Sequence, residues 1–106
     1  MERTLARDIA QHIEKKITIK GWLHKKRLLG GLTFINVRDR SGLVQVLIED
    51  KNEVEKLRGM QLGTVLEITG QVVEEERAPS GAEIHEPTLE VLVPVLDAPP
   101  IEIDKP

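Results

Sequence analysis

Residues 32–46, LTFINVRDRSGLVQV, decide the fold of this chain, because they contain two strands separated by a tight turn. Apolar and polar residues alternate along Leu32–Asp39 and again along Leu43–Glu49, and Ser41-Gly42 supplies turn residues between them. In a strand, successive side chains point to opposite faces of the sheet. Ile35 and Val37 suit a buried face, so the residues between them are predicted to face outwards.

The outward set carries the first indication of function. It places Phe34, the only Phe in a chain without Tyr, beside Asn36 and Arg38. On the next strand the same alternation turns Gln45 outwards on the same wall. An aromatic ring among polar neighbours is a platform on which a base can stack. A glutamine amide both donates and accepts, so Gln45 matches the Watson–Crick edge of uracil. Packing of Phe34 under a loop and simple solvation of Gln45 stay open as alternatives.

Further strands follow on both sides of this hairpin. The first is predicted from about Ile17 to Leu28, with Gly21 at a bulge, and it reaches the hairpin through a turn at Gly30-Gly31. Beyond the hairpin, we expect strands at 64–76, with Gly70 at a bulge, and at about 88–96. A turn-rich stretch at 77–81 separates these last two.

Two helices complete the prediction. Leu5, Ile9 and Ile13 recur at helical spacing within residues 5–14, and Asp50 begins a short helix that runs to about Met60. The predicted order of elements, three strands followed by a helix and two strands, is that of an all-β, five-stranded OB-fold Greek-key barrel. This fold binds oligonucleotides on its second and third strands. An SH3-like barrel is the structural alternative.

Length and composition fit one globular domain of 106 residues. We expect the OB-fold domain to cover residues 1–98 and a linker to begin at 99–106, where Pro and charged residues accumulate. No run of apolar residues approaches the ~18 of a membrane span, and the default expectation is a cytoplasmic location. The chain has no cysteine and its three histidines are scattered, so no metal site is predicted.

Charge is divided unevenly along the chain. Residues 1–50 carry ten Lys and Arg against six Asp and Glu, whereas residues 51–106 carry five against twelve, within a net charge of −3. Lys25, Lys26 and Arg27 lie just before the first turn and are candidates for contact with phosphate; Arg27 is also a candidate for base contact. A solvated surface explains such a run equally well. Glu83, expected in the loop before the last strand, is a candidate acceptor for a guanine edge. We expect a structural role for Trp22 and assign no role to His24 or His85.

Three segments together carry a resemblance to a known family. Residues 21–27 (GWLHKKR), 30–35 (GGLTFI) and 37–46 (VRDRSGLVQV) resemble the N-terminal anticodon-binding domain of aspartyl-tRNA synthetases. The resemblance implies that Phe34 stacks on the middle anticodon base, that Gln45 reads it as uracil, and that Glu83 reads a neighbouring base. It also implies an anticodon contact for Arg27. Asparaginyl enzymes share the domain, so the resemblance leaves open whether the tRNA is that for aspartate or also that for asparagine.

The resemblance further implies a separate catalytic domain, and a parent enzyme that is a homodimeric aspartate–tRNA ligase using ATP and magnesium. We expect no catalytic residue and no cofactor in this chain itself, because it contains no phosphate-binding loop and no nucleophile–base pair. Two other functions stay open. One is a free-standing OB-fold protein that binds single-stranded nucleic acid or tRNA in trans. The other is a protein-interaction barrel that uses Leu32, Leu43 and Leu47.

Overall fold

The computed structural model describes residues 4–29 and 32–93, and within these ranges five strands close into a barrel. The strands are β1 (Lys16–Leu29), β2 (Leu32–Asp39), β3 (Gly42–Ile48), β4 (Val65–Glu74) and β5 (Ala82–Val93). Helix α1 (Lys51–Arg58) lies between β3 and β4, and 3₁₀ helices span Ala6–His12 and Pro79–Gly81. The predicted OB-fold barrel is confirmed. The predicted turn at Gly30-Gly31 and the linker at 99–106 lie outside the described residues.

The order of the strands around the barrel is β1-β2-β3-β5-β4. Strand β4 returns to pair with β1 and so closes the ring. The neighbours are antiparallel except β3 and β5, which run parallel. This parallel pair sets β5 beside β3, and it brings residues that are far apart in sequence onto one wall.

Aliphatic side chains from all five strands fill the interior, as the alternation on β2 and β3 predicted. The larger buried ones are Ile17, Ile19, Leu23, Ile35, Val37, Val44, Val46, Ile48, Leu66, Ile68, Val72, Ile84 and Leu89. Burying one such side chain stabilises the fold by about 1.5–3 kcal/mol relative to leaving it exposed. Ala6 and Ile9 of the N-terminal helix and Leu57 of α1 join the same cluster.

Both helices lie within the ranges predicted for them. The N-terminal one is a 3₁₀ helix that begins at Ala6 and ends at His12, within the predicted 5–14. Helix α1 begins after Asp50, whose side chain accepts a hydrogen bond from the backbone N–H of Asn52 as expected of a cap.

The bulge in β1 lies at His24, which corrects the prediction of a bulge at Gly21. The register with β2 shifts between Leu23 and Lys25, so His24 has no partner on β2. Gly21 has a different structural role, because a Cβ there would lie 2.4 Å from the carbonyl oxygen of Arg38. Glycine lets the two strands approach closely at this point.

Gly70 occupies a bulge of the β4–β5 pair, as predicted. The register shifts between Thr69 and Gln71, where two residues of β5, Glu86 and Pro87, oppose one residue of β4. A Cβ on Gly70 would lie 2.5 Å from a methyl group of Ile84, so the bulge needs a residue without a side chain.

Strand β5 begins at Ala82, six residues before the predicted start at Thr88. The bulge at Glu86 and Pro87 interrupts the alternation, which hides the first half of the strand from a sequence pattern. Trp22 is 39% exposed and is not part of the core cluster, and its structural role stays a prediction. Within the described ranges, no helix has the length and apolar character needed to cross a membrane.

Candidate nucleic-acid interface

The outer wall formed by β1, β2 and β3 carries two rows of side chains across the strands. In the first row Arg27, Phe34 and Leu47 are cross-strand neighbours. In the second row Lys25, Asn36 and Gln45 are neighbours, and β5 extends this row with one more residue, Glu83. The rows place an aromatic ring, two cations and several hydrogen-bonding groups on one surface.

Phe34 lies at the centre of the first row and is half-buried. Its inward neighbours Thr33 and Ile35 are buried, so the ring is on the outer wall, where the alternation predicted it. Gln45 lies diagonally across from Phe34 rather than directly opposite, because Phe34 pairs with Leu47 and Gln45 pairs with Asn36. Diagonal neighbours are about 7–8 Å apart and within reach of aromatic and long side chains.

Gln45 belongs to a hydrogen-bonded chain of three side chains. Its Nε2 donates to Glu83 Oε1 at 2.7 Å, and the other carboxylate oxygen, Oε2, lies 2.6 Å from His85 Nε2. Glu83 is only 5% exposed, whereas His85 is half-buried. A buried carboxylate needs such donors, because its desolvation is costly.

Glu83 is therefore not in the loop before the last strand, which corrects the prediction. It is the second residue of β5, and it pairs with Gln45 across the parallel β3–β5 contact. His85 is the residue that sequence reasoning missed. Its signal was its position two residues after Glu83, which places both side chains on the same face of a strand.

The three consecutive basic residues at 25–27 do not act together, because the bulge at His24 changes which side chains of β1 face outwards. Lys25 and Arg27 are exposed on the outer wall. Lys26 pairs with the inward-facing Ile35, and its Nζ donates to the carbonyl oxygens of Leu57 at 2.9 Å and Met60 at 2.7 Å. A cation at the end of a helix stabilises its free carbonyls. The prediction of a phosphate contact for Lys26 is thus corrected to a structural role at the end of α1.

Asp39 is the centre of a hydrogen-bond network that joins the β2–β3 turn to the N-terminal helix. Its Oδ1 accepts from Ser41 N, Ser41 Oγ and Gly42 N, and its Oδ2 accepts from Ala6 N at 2.8 Å. Burial raises the pKa of the Asp39 carboxyl, but the hydrogen bonds from Ser41, Ala6 and Gly42 outweigh it and hold the pKa below its ordinary value. Asp39, Ser41 and Gly42 therefore stabilise the fold that carries the site.

The second and third strands of this closed barrel present an aromatic ring beside hydrogen-bonding side chains. These features define an oligonucleotide-binding OB-fold domain. Comparison with known proteins agrees with this class. The chain belongs to the tRNA anti-codon family, described as an OB-fold nucleic acid binding domain, whose model matches residues 17–92.

Individual relatives confirm the resemblance to aspartyl-tRNA synthetases. The chain is 38% identical over 106 residues to the aspartate–tRNA(Asp/Asn) ligase of Thermus thermophilus, a match that covers 97% of this chain and 23% of that protein. It is 41% identical over 107 residues to the ligase of the same name from Archaeoglobus fulgidus, covering 95% of this chain and 25% of the relative. The chain thus spans about a quarter of the length of these relatives.

A solved structure agrees with the same assignment. The asparaginyl-tRNA synthetase of Pyrococcus horikoshii, in complex with asparaginyl-adenylate, superimposes with a TM-score of 0.82 at 28% identity. The match covers 93% of this chain and 24% of the synthetase.

Proposed function

We propose that this domain binds the anticodon loop of tRNA for aspartate or asparagine and reads the uracil at the middle anticodon position. Phe34 stacks on the base, and Gln45 hydrogen-bonds to its Watson–Crick edge. The observation that carries the proposal is that Phe34 and Gln45 are diagonal neighbours on the outer wall of β2 and β3. Stacking is worth about 1–3 kcal/mol per base and does not depend on sequence. Specificity for uracil must therefore come from Gln45.

The charges around the Phe34 ring support a proposal for how the RNA backbone runs across the outer wall. Lys25 and Arg27 are exposed on β1, on one side of Phe34, and they can attract phosphate. On the side of Phe34 away from β1, a shallow depression lies beside α1 and β5. It is lined by the carboxylates of Glu49, Asp50, Glu53 and Glu86. Carboxylates repel phosphate, so the backbone of the RNA runs along β1 while its bases point towards β3 and β5. Asn36, between Lys25 and Gln45, is placed to add a polar contact to the same nucleotides.

Glu83 keeps its predicted role in reading a neighbouring anticodon base as part of this proposal. Its two oxygens already accept from Gln45 and His85, but each carboxylate oxygen has a second lone pair. Because only 5% of Glu83 is exposed, a guanine edge would use these remaining lone pairs at the exposed part of the carboxylate.

The relatives support a proposal for the whole protein. They are named as ligases, and the chain spans about a quarter of their length. We propose that this domain supplies tRNA binding to an aspartate–tRNA ligase, cytoplasmic and homodimeric, whose separate catalytic domain uses ATP and magnesium. We assign neither ATP nor magnesium to any residue of this chain.

Competition binding tests the proposal against its alternatives. A labelled anticodon stem-loop with a central uracil is bound to the domain and displaced by the same stem-loop or by an unstructured oligonucleotide of the loop sequence. We expect the stem-loop to compete more strongly, because its loop presents the bases already splayed. Equal competition by both would indicate a nonspecific single-strand binder. Absence of RNA binding at low salt would favour a protein-interaction barrel, for which Leu32, 41% exposed, is available.

A further inference from the structure

We infer that His85 is a positioning residue, which acts through Glu83 to lock the side-chain amide of Gln45 in the orientation that accepts uracil and rejects cytosine. This inference rests on the proposed reading of the middle base by Gln45. It concerns a residue that would not itself contact that base.

The geometry that carries the inference is the chain of contacts from β5 to β3. Glu83 lies between the other two residues and is largely buried, at 5% exposure. Each of its oxygens has a different partner: Oε1 accepts from Gln45 at 2.7 Å, and Oε2 contacts His85 at 2.6 Å. The carboxylate is therefore held at both ends and cannot turn without losing a hydrogen bond.

The carboxylate in turn determines which way the Gln45 amide points. An ionised carboxylate only accepts hydrogen bonds, so it selects the NH₂ group of Gln45 and excludes the carbonyl oxygen. The amide oxygen, Oε1, is consequently directed away from Glu83 and is available to a ligand. By the same argument, Nε2 of His85 must carry a hydrogen, because Glu83 offers it no donor.

A fixed amide discriminates between the two pyrimidines. Uracil has a donor at N3, which matches the outward Oε1 of Gln45, whereas cytosine has an acceptor there, which opposes it. A Gln45 that was free to flip could present its NH₂ group to cytosine and would bind both bases. The lock therefore converts a side chain that can match either base into one that prefers uracil.

His85 is needed for this lock because Glu83 is buried. Without a donor at Oε2, one carboxylate oxygen would be left without a partner, which is costly in a buried position. The side chain would then turn towards water, and its hold on Gln45 would weaken. At 31% side-chain exposure, His85 is accessible enough to be replaced without opening the core.

The first experiment tests whether the Gln45 side-chain amide is held in one orientation in the free protein, without RNA. The ¹⁵N relaxation of the Gln45 side-chain amide is compared in wild type, His85→Leu and His85→Gln. Glutamine places a donor at about the reach of the histidine Nε2, so His85→Gln serves as the conservative rescue. We expect an ordered amide in wild type and His85→Gln and a mobile one in His85→Leu. An amide equally ordered in His85→Leu overturns the inference. If His85→Leu does not fold, His85→Asn, whose amide is too short to reach Glu83, takes its place.

The second experiment measures the consequence for base discrimination. Stem-loops with uracil or cytosine at the middle position are titrated against the same variants, with unfolding followed in parallel. We expect the preference for uracil to fall about tenfold in His85→Leu and to be retained in His85→Gln. An unchanged preference in His85→Leu overturns the inference and leaves the proposed function standing. A wild-type domain with no preference overturns the proposed function, while relaxation of Gln45 still decides whether the lock exists.

Discussion

Gln45 on β3 and Glu83 on β5 stand side by side on parallel strands, joined by a hydrogen bond of 2.7 Å. They are 38 residues apart in sequence, and the parallel pairing of β3 with β5 brings them together. This contact sets the orientation of the Gln45 amide on the wall that also carries Phe34. The fold therefore fixes the hydrogen-bonding groups of the proposed reading surface before any ligand arrives.

Removal of the ring at Phe34 tests the stacking platform. Phe34→Ala is expected to weaken binding of anticodon stem-loops by about 1–3 kcal/mol, and by a similar amount whatever the middle base, because stacking does not read base identity. Fluorescence anisotropy with labelled stem-loops measures this loss. Leu32→Ala is a matched control on the same face of β2, and it is expected to bind nearly as wild type. A Phe34→Ala protein with undiminished affinity would exclude stacking at this position.

Two adjacent lysines provide a test of the electrostatic assignment. Lys25→Met is expected to reduce the salt slope of RNA binding by about one and to leave unfolding unchanged, because Lys25 is exposed on the wall that we propose binds RNA. Lys26→Met is expected to lower the free energy of unfolding by about 1.5–3 kcal/mol with little change in the slope, because its ammonium holds the end of α1. Binding at several salt concentrations and urea denaturation separate the two effects. The assignment fails if the two variants behave alike.

Asp39 gives the stability of the domain a dependence on pH. Its pKa is lowered in the folded state, so its contribution is present above the unfolded value of about 3.9 and is lost as the pH falls through the folded value. Asp39→Asn is expected to cost about 1–3 kcal/mol near neutral pH. In urea denaturation from neutral to acid pH, the gap between wild type and Asp39→Asn should shrink below about pH 4. A gap of constant size across that range would show that the charge of Asp39 contributes nothing.

Glycine at position 21 is predicted to be required by the close approach of β1 to β2. Gly21→Ala places a methyl group 2.4 Å from the Arg38 carbonyl oxygen, and we expect a loss of about 1–3 kcal/mol in the free energy of unfolding. Gly59→Ala is the matched control, because a Cβ there meets nothing within 4 Å. That change is expected to be neutral or to stabilise by up to about 1 kcal/mol. Thermal or urea unfolding of both variants checks the difference, and equal stabilities would contradict it.

The features that could be predicted from the sequence depend on local patterns, such as the alternation of side chains along a strand. The outward position of Phe34 and Gln45 follows from strict alternation on β2 and β3, where no bulge interrupts it. The cap at Asp50 and the bulge at Gly70 are also local, since each depends on the preference of one residue type.

The features that the sequence did not predict depend on bulges or on distant pairing. The bulge at His24 shifts the alternation of β1 by one residue, which turns Lys26 inwards and leaves Lys25 and Arg27 outside. The position of Glu83 depends on the parallel pairing of β3 and β5, which no local pattern contains. The role of His85 follows from Glu83 and was hidden for the same reason.

A double-mutant cycle between Gln45 and the middle base of the anticodon tests the central claim most directly. Affinities of wild type and Gln45→Ala are measured for two stem-loops that differ only in uracil or cytosine at that position. We expect wild type to prefer uracil, Gln45→Ala to bind both nearly equally, and the coupling energy to be about 1–3 kcal/mol. Equal affinity of the wild-type domain for both stem-loops, or a preference that survives in Gln45→Ala, would contradict the account.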